Sequence, residues 1–157
     1  MTSYRVDGLR LPDRHDIEQM MFRYAKAADM ADIQTQLTCF HPDARVNFSG
    51  KWIEGHDGLR EAWKNAYTRY AQTSHAVTNI SITFTGTDDA DAESLITAWH
   101  RGADGKEWTL HGRYIDTWHK SVEGWKMSTR VIVAAGAVGR DESTLTMMQR
   151  LAISDGH

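Results

Sequence analysis

Residues 77–101 read VTNISITFTGTDDADAESLITAWHR and residues 107–133 read EWTLHGRYIDTWHKSVEGWKMSTRVIV; these two stretches decide the fold. They are rich in Thr, Ile, Val and Trp, the residues that suit a pleated, half-buried surface. The sequence predicts four strands: Val77–Thr85, Asp91–Arg101, Glu107–His119 and Trp125–Val133. Short turns separate them, at Gly86-Thr87-Asp88-Asp89, Ala103-Asp104-Gly105 and Glu123-Gly124. Turns this short make neighbouring strands antiparallel, so the four form a meander.

Upstream of the meander the texture is helical. Pro12-Asp13 suits a helix start with Asp13 as N-cap, and Ile17, Met20, Met21, Tyr24, Ala27 and Ala28 then form one apolar stripe. A second, short helix is expected from Asp32 to Phe40, with Ile33, Leu37 and Phe40 on one side; His41-Pro42-Asp43 breaks it. Ala44–Phe48 and Lys51–Ile53 flank Ser49-Gly50 as a small hairpin. Asp57 is placed to cap a third helix from Gly58 to about Gln72, striped by Leu59, Ala62, Trp63, Ala66 and Tyr70. Helices followed by antiparallel strands mean an α+β fold. The expected architecture is a cone-shaped α+β barrel, three N-terminal helices packed on a curved, mostly antiparallel sheet. The core spans about residues 12–135, and the tail 136–157 carries Leu145, Met148 and Leu151 at helical spacing, placed to cover the mouth or a partner.

Length and charge narrow the function. The 157 residues suit a single domain, residues 1–157, and a net charge of −3 gives no footprint for nucleic acid or an anionic membrane. The apolar runs are too short to span a bilayer, and Met1–Arg10 lacks the apolar centre of a secretory signal. The lone Cys39 suits a reducing, cytoplasmic setting. Eight histidines raise the question of a metal, but there is no H-E-x-x-H or C-x-x-C, and no metal is expected. His111 and His119 would lie about 27 Å apart along one strand. No phosphate-binding glycine loop or G-x-S-x-G elbow is present.

The order of elements resembles the SnoaL-like branch of the nuclear transport factor 2-like superfamily. The resemblance is carried by Arg23-Tyr24-Ala25-Lys26-Ala27-Ala28-Asp29, Cys39-Phe40-His41-Pro42-Asp43-Ala44, Ile53-Glu54-Gly55, Ser74-His75-Ala76-Val77-Thr78-Asn79, Gly112-Arg113-Tyr114-Ile115-Asp116 and Gly124-Trp125-Lys126. The spacing is most similar to hexachlorocyclohexane dehydrochlorinases, scytalone dehydratases and bile-acid dehydratases, which need no cofactor. The resemblance implies His75 as base, Asp29 as its acidic partner, Arg130 assisting the leaving group, and Tyr24 where bile-acid dehydratases carry a tyrosine. The extra acid of the bile-acid enzymes falls near Ala98 here, which argues against a second carboxylate on that strand.

The residues themselves agree with that assignment. An imidazole titrates near about 6.5 and needs a partner to fix its tautomer, which a carboxylate supplies. Asp32 fits the cap of the second helix better than Asp29, which frees Asp29 for another task. Strand alternation groups Ser128, Arg130 and Ile132 against Met127, Thr129 and Val131, and groups Leu110, Gly112 and Tyr114 against His111, Arg113 and Ile115. The family pattern turns the Leu110–Gly112–Tyr114 face inward, with Gly112 leaving room for ligand. Val46, Trp63, Ala66, Tyr70, Val77 and Ile132 complete the expected apolar wall. The sequence therefore predicts a cofactor-free lyase (dehydratase) or isomerase acting on a small apolar cyclic or aromatic molecule. An epoxide hydrolase, a polyketide-cyclase-type enzyme and a non-catalytic binding or assembly subunit are the alternatives. A homo-oligomer, dimer or trimer, is expected through the convex sheet face near His111 and Arg113.

Overall fold

The computed structural model describes residues 10–152, so the reading of residues 1–9 and of the tail beyond 152 lies outside the described residues. Helix α1 spans Leu11–Asp29 and buries Ile17, Met21, Tyr24, Ala25, Ala27 and Ala28. Its start differs from expectation: Pro12 stands in the first turn, but Asp13 is not the cap. The Asp13 carboxylate instead accepts bonds of 2.8 Å each from Lys120 Nζ, Trp125 Nε1 and Arg10 Nε, pinning the helix to the far strands. The Lys120 and Trp125 bonds hold its carboxyl down at about 2, against the effect of burial.

Helix α2 spans only Ile33–Thr38, capped as expected by Asp32, whose Oδ1 accepts from the Thr35 N–H at 3.0 Å. Phe40 falls outside it and opens strand β1, Phe40–Phe48. Pro42 sits where the register of β1 shifts between Phe40 and Arg45, a place that needs no ladder donor. Strand β2, Lys51–Glu54, pairs antiparallel with β1 as predicted. Ser49 and Gly50 turn the hairpin with φ of 51° and 79°, the left-handed pair a two-residue turn demands. Helix α3 spans Gly55–Arg69, earlier than predicted, so Asp57 lies in its first turn and does not cap it.

Strands β3 (Tyr70–Phe84), β4 (Asp89–Gly102), β5 (Glu107–Ser121) and β6 (Gly124–Val138) form the predicted antiparallel meander. The six strands run in the order β2-β1-β6-β5-β4-β3, with β1 parallel to β6. Inward side chains alternate along β4 as Ala90, Ala92, Ser94, Ile96, Ala98 and His100, and along β5 as Leu110, Gly112, Tyr114, Asp116 and Trp118. On β6 the simple alternation fails. The register slips between Thr117↔Thr129 and Trp118↔Met127, and this bulge turns both Met127 and Arg130 inward. His111 and Arg113 face outward, Arg113 donating to Glu93 Oε1 at 2.6 Å.

Between residues 139 and 152, the described part of the tail, there is no helix. After Gly139 the chain doubles back as a strap, with Ala134 N–H donating to Thr146 O at 2.8 Å and Met148 N–H donating to Ala134 O at 2.7 Å. Glu142 accepts from the Ala137 N–H at 2.7 Å, and Asp141 accepts from the Ser143 N–H at 2.9 Å. Such local side-chain bonds compete with helix. Among the described residues no helix is long and apolar enough to cross a membrane.

Candidate active site

Asp29 is the last residue of α1, and its carboxylate meets β3 where that strand passes over the helix end. His75 lies well inside β3, opposite Ala98, because the strand begins seven residues before the predicted Val77. The ring Nδ1 of His75 stands 2.6 Å from Asp29 Oδ1. Two further donors fix the carboxylate, the His75 backbone N–H to Oδ2 at 3.0 Å and Thr73 Oγ1 to Oδ1 at 2.9 Å. Burial works against the Asp29 charge, but the bonds from His75 and Thr73 outweigh it and hold the carboxyl below its ordinary range. An ionised carboxylate only accepts, so Nδ1 carries the proton and Nε2 is the basic nitrogen.

His75 forms part of the wall of a partly open cavity of about 210 Å³ between the helices and the inner sheet face. Of the residues named from the sequence, Tyr24, Trp63, Ala66, Tyr70, Leu110, Tyr114 and Ile132 line it. Tyr70 does so from the first residue of β3, not from the third helix. Val46 and Val77 instead pack into the surrounding core. Gly112 does not open space for ligand either, because a Cβ there would meet Val133 O at 2.2 Å; its smallness serves the close approach of β5 and β6.

Arg130 is fully buried and does not line the cavity. Its Nε and Nη2 donate to Asp116 Oδ1 and Oδ2 at 2.8 and 2.7 Å, a bidentate pair. The guanidinium lies 3.8 Å from the Tyr114 ring centre and 4.5 Å from that of Tyr24, so it backs the two tyrosines. Burial pushes the Tyr24 hydroxyl above its usual range even with Arg130 beside it, and pushes Tyr114 up as well. Both phenols stay protonated.

Three residues were not singled out from the sequence. Asp116 lies two positions past Tyr114 on the same inward face, so extending the alternation would have found it. His100 lies two past Ala98 on β4 and lines the cavity, its ring stacked on Trp108 at 4.0 Å and set edge-on to His75 at 5.7 Å. Burial lowers its pKa to about 4, so it is neutral in the fold. Gln36, on α2, is fully buried and also lines the cavity. The strap closes the mouth with Arg140, Leu145 and Thr146, opposite the hairpin residues Phe48 and Ser49.

Comparison with known proteins matches residues 9–131 to the SnoaL-like domain. No curated protein matches the chain. Among solved structures, a candidate scytalone dehydratase from Novosphingobium aromaticivorans is 25% identical, with a TM-score of 0.83 over 97% of this chain and 100% of the other. A candidate aromatic ring hydroxylase from the same organism is 29% identical, with a TM-score of 0.80 over 83% of this chain and 94% of the other. The hexachlorocyclohexane dehydrochlorinase of Novosphingobium barchaimii is 15% identical, with a TM-score of 0.78 over 92% of this chain and 99% of the other, a likeness of fold.

Proposed function

The chain belongs to the SnoaL-like family, within the nuclear transport factor 2-like superfamily, and from that premise we propose that it is a cofactor-independent lyase or isomerase that removes a proton from carbon. The names of its structural neighbours point to different reactions, so the reading rests on the site. One observation carries it: a histidine bonded through Nδ1 to a fixed carboxylate, at the wall of a largely aromatic cavity.

In this reading His75 Nε2 takes the proton from a carbon next to an activating group. The C–H electron pair forms the new double bond while a hydroxide or halide leaves from the neighbouring carbon. Asp29 balances the imidazolium, as the acid of a catalytic triad does. Tyr24 or Tyr114, each kept protonated by burial, supplies the proton that turns hydroxide into water. His75 then returns its proton to the phenolate. Arg130 acts through the tyrosines it backs, as a positioning residue. Isomerisation uses the same first step with the proton returned elsewhere. The engagement of both Asp29 oxygens disfavours an epoxide hydrolase, which needs a carboxylate free to activate water.

Proton removal can be followed before the natural substrate is found. A panel of cyclic ketones, plain and with β-hydroxyl or β-chloro substituents, is incubated with the protein in D2O. Proton NMR then follows exchange next to the carbonyl, and absorbance follows the enone. Exchange or elimination above buffer is expected, falling about 10³-fold or more in His75→Ala. Equal rates in wild type and His75→Ala, or no reaction with any of the panel, would favour the binding-subunit reading.

A further inference from the structure

Gln36 is a polar residue with 0% exposure in the wall of an otherwise mostly aromatic and aliphatic cavity. Its backbone is satisfied within α2, the N–H donating to Asp32 O and the carbonyl accepting from Cys39 N–H, each at 3.0 Å. Its side chain is half satisfied. Tyr67, on α3, donates its hydroxyl to Gln36 Oε1 at 2.5 Å, which fixes the rotation of the amide. Burial raises the Tyr67 pKa, so that hydroxyl remains a donor. The other end, Nε2, carries two N–H donors and meets no acceptor among the described residues.

A glutamine kept only to tie α2 to α3 would not need to leave its amide nitrogen without an acceptor at the border of a cavity. A buried donor without an acceptor destabilises the fold, and such groups are rare in native proteins. A ligand oxygen in this cavity would satisfy it. The amide carries no charge, so it suits a neutral oxygen, which costs less to strip of water than a carboxylate does. We propose that the Gln36 carboxamide, held by Tyr67, is a hydrogen-bond donor to a neutral oxygen of the ligand, so that the cavity selects oxygenated cyclic molecules over their hydrocarbon counterparts. The inference rests on the cavity being the ligand site of the function proposed above, but it needs no turnover.

The test is a binding cycle on the full chain with two bicyclic probes, 1-tetralone and tetralin, followed by the fluorescence of Trp63 and Trp108 in the wall. The ratio of the tetralin to the tetralone Kd is expected to fall about 10-fold in Gln36→Leu, the tenfold that one lost buried hydrogen bond represents. It should fall less, about threefold, in Tyr67→Phe, where the amide is present but no longer held. Neither probe carries a leaving group, so the ratio reads binding alone, which separates this inference from the fate of the proposed base. A ratio within twofold of wild type in folded Gln36→Leu overturns the proposal. Should that variant not fold, the side-chain amide resonances of Gln36 in the labelled wild type decide: they should shift with tetralone and stay with tetralin. Resonances unmoved by tetralone, or tetralone that does not bind at all, overturn it too.

Discussion

Two carboxylates in this fold each hold a nitrogen base by short bonds, and their surroundings set them to opposite uses. Asp116 and Arg130 lie in the sealed centre of the cone, with side-chain exposures of 0% and 1%. Asp29 and His75 lie at the cavity wall, with exposures of 26% and 14%. Burial works against the Arg130 charge, but Asp116 outweighs it and the guanidinium stays protonated. That pair is a fixed dipole under two tyrosines. With His in place of Arg and a cavity on one side, the same motif has the make-up that the proposed proton transfer requires. Asp29 is tied from its own side by Thr73 and the His75 backbone, so only the imidazole changes state.

The largest effect that bears on this contrast is in stability. Asp116→Ala leaves a buried guanidinium unpaired and should cost about 3–5 kcal/mol, read as a lower urea midpoint. A double change, Asp116→Leu with Arg130→Met, should regain most of that; if it does not, the pair has a packing role beyond its charges. Asp29→Asn comes next. It keeps one acceptor oxygen and loses the charge, so proton exchange should drop about 10²-fold while the urea midpoint falls by less than in Asp116→Ala. A stability loss equal to that of Asp116→Ala would erase the distinction between the two pairs. The smallest effect concerns His100. Its folded pKa of about 4 lies below that of the unfolded chain, so the unfolded state binds the extra proton as pH falls from about 6.5 to 4, and stability declines over that window. His100→Phe should remove about 1–2 kcal/mol of that decline, measured as the difference in urea midpoints at pH 7 and pH 4.5.

The sheet was legible because alternation and short turns are local signals, whereas Asp29 and His75 were brought together by the family resemblance and not by a local pattern. Strand ends were less so. Tyr70–Ala76 has Thr73 as its one β-branched residue, too few to mark a strand, and pairing with β4 makes it one. The bulge beside Ser128 leaves no local signature, yet it decides which way Met127 and Arg130 point. Gln36 escaped notice because a helix of six residues is too short to show a period. In the tail, the spacing of Leu145, Met148 and Leu151 suited a helix, but Asp141 and Glu142 bond to backbone groups nearby and the strap bonds to Ala134 instead.

That strap has a consequence for how such a protein diversifies. His75 and Asp29 sit where a helix end meets the β3–β4 ladder. Arg140, Leu145 and Thr146 reach the same cavity from a segment joined to the sheet mainly through Ala134 and Ala137. Substitutions in the strap therefore remodel the mouth without disturbing strand register, so what is admitted can evolve separately from what is done to it.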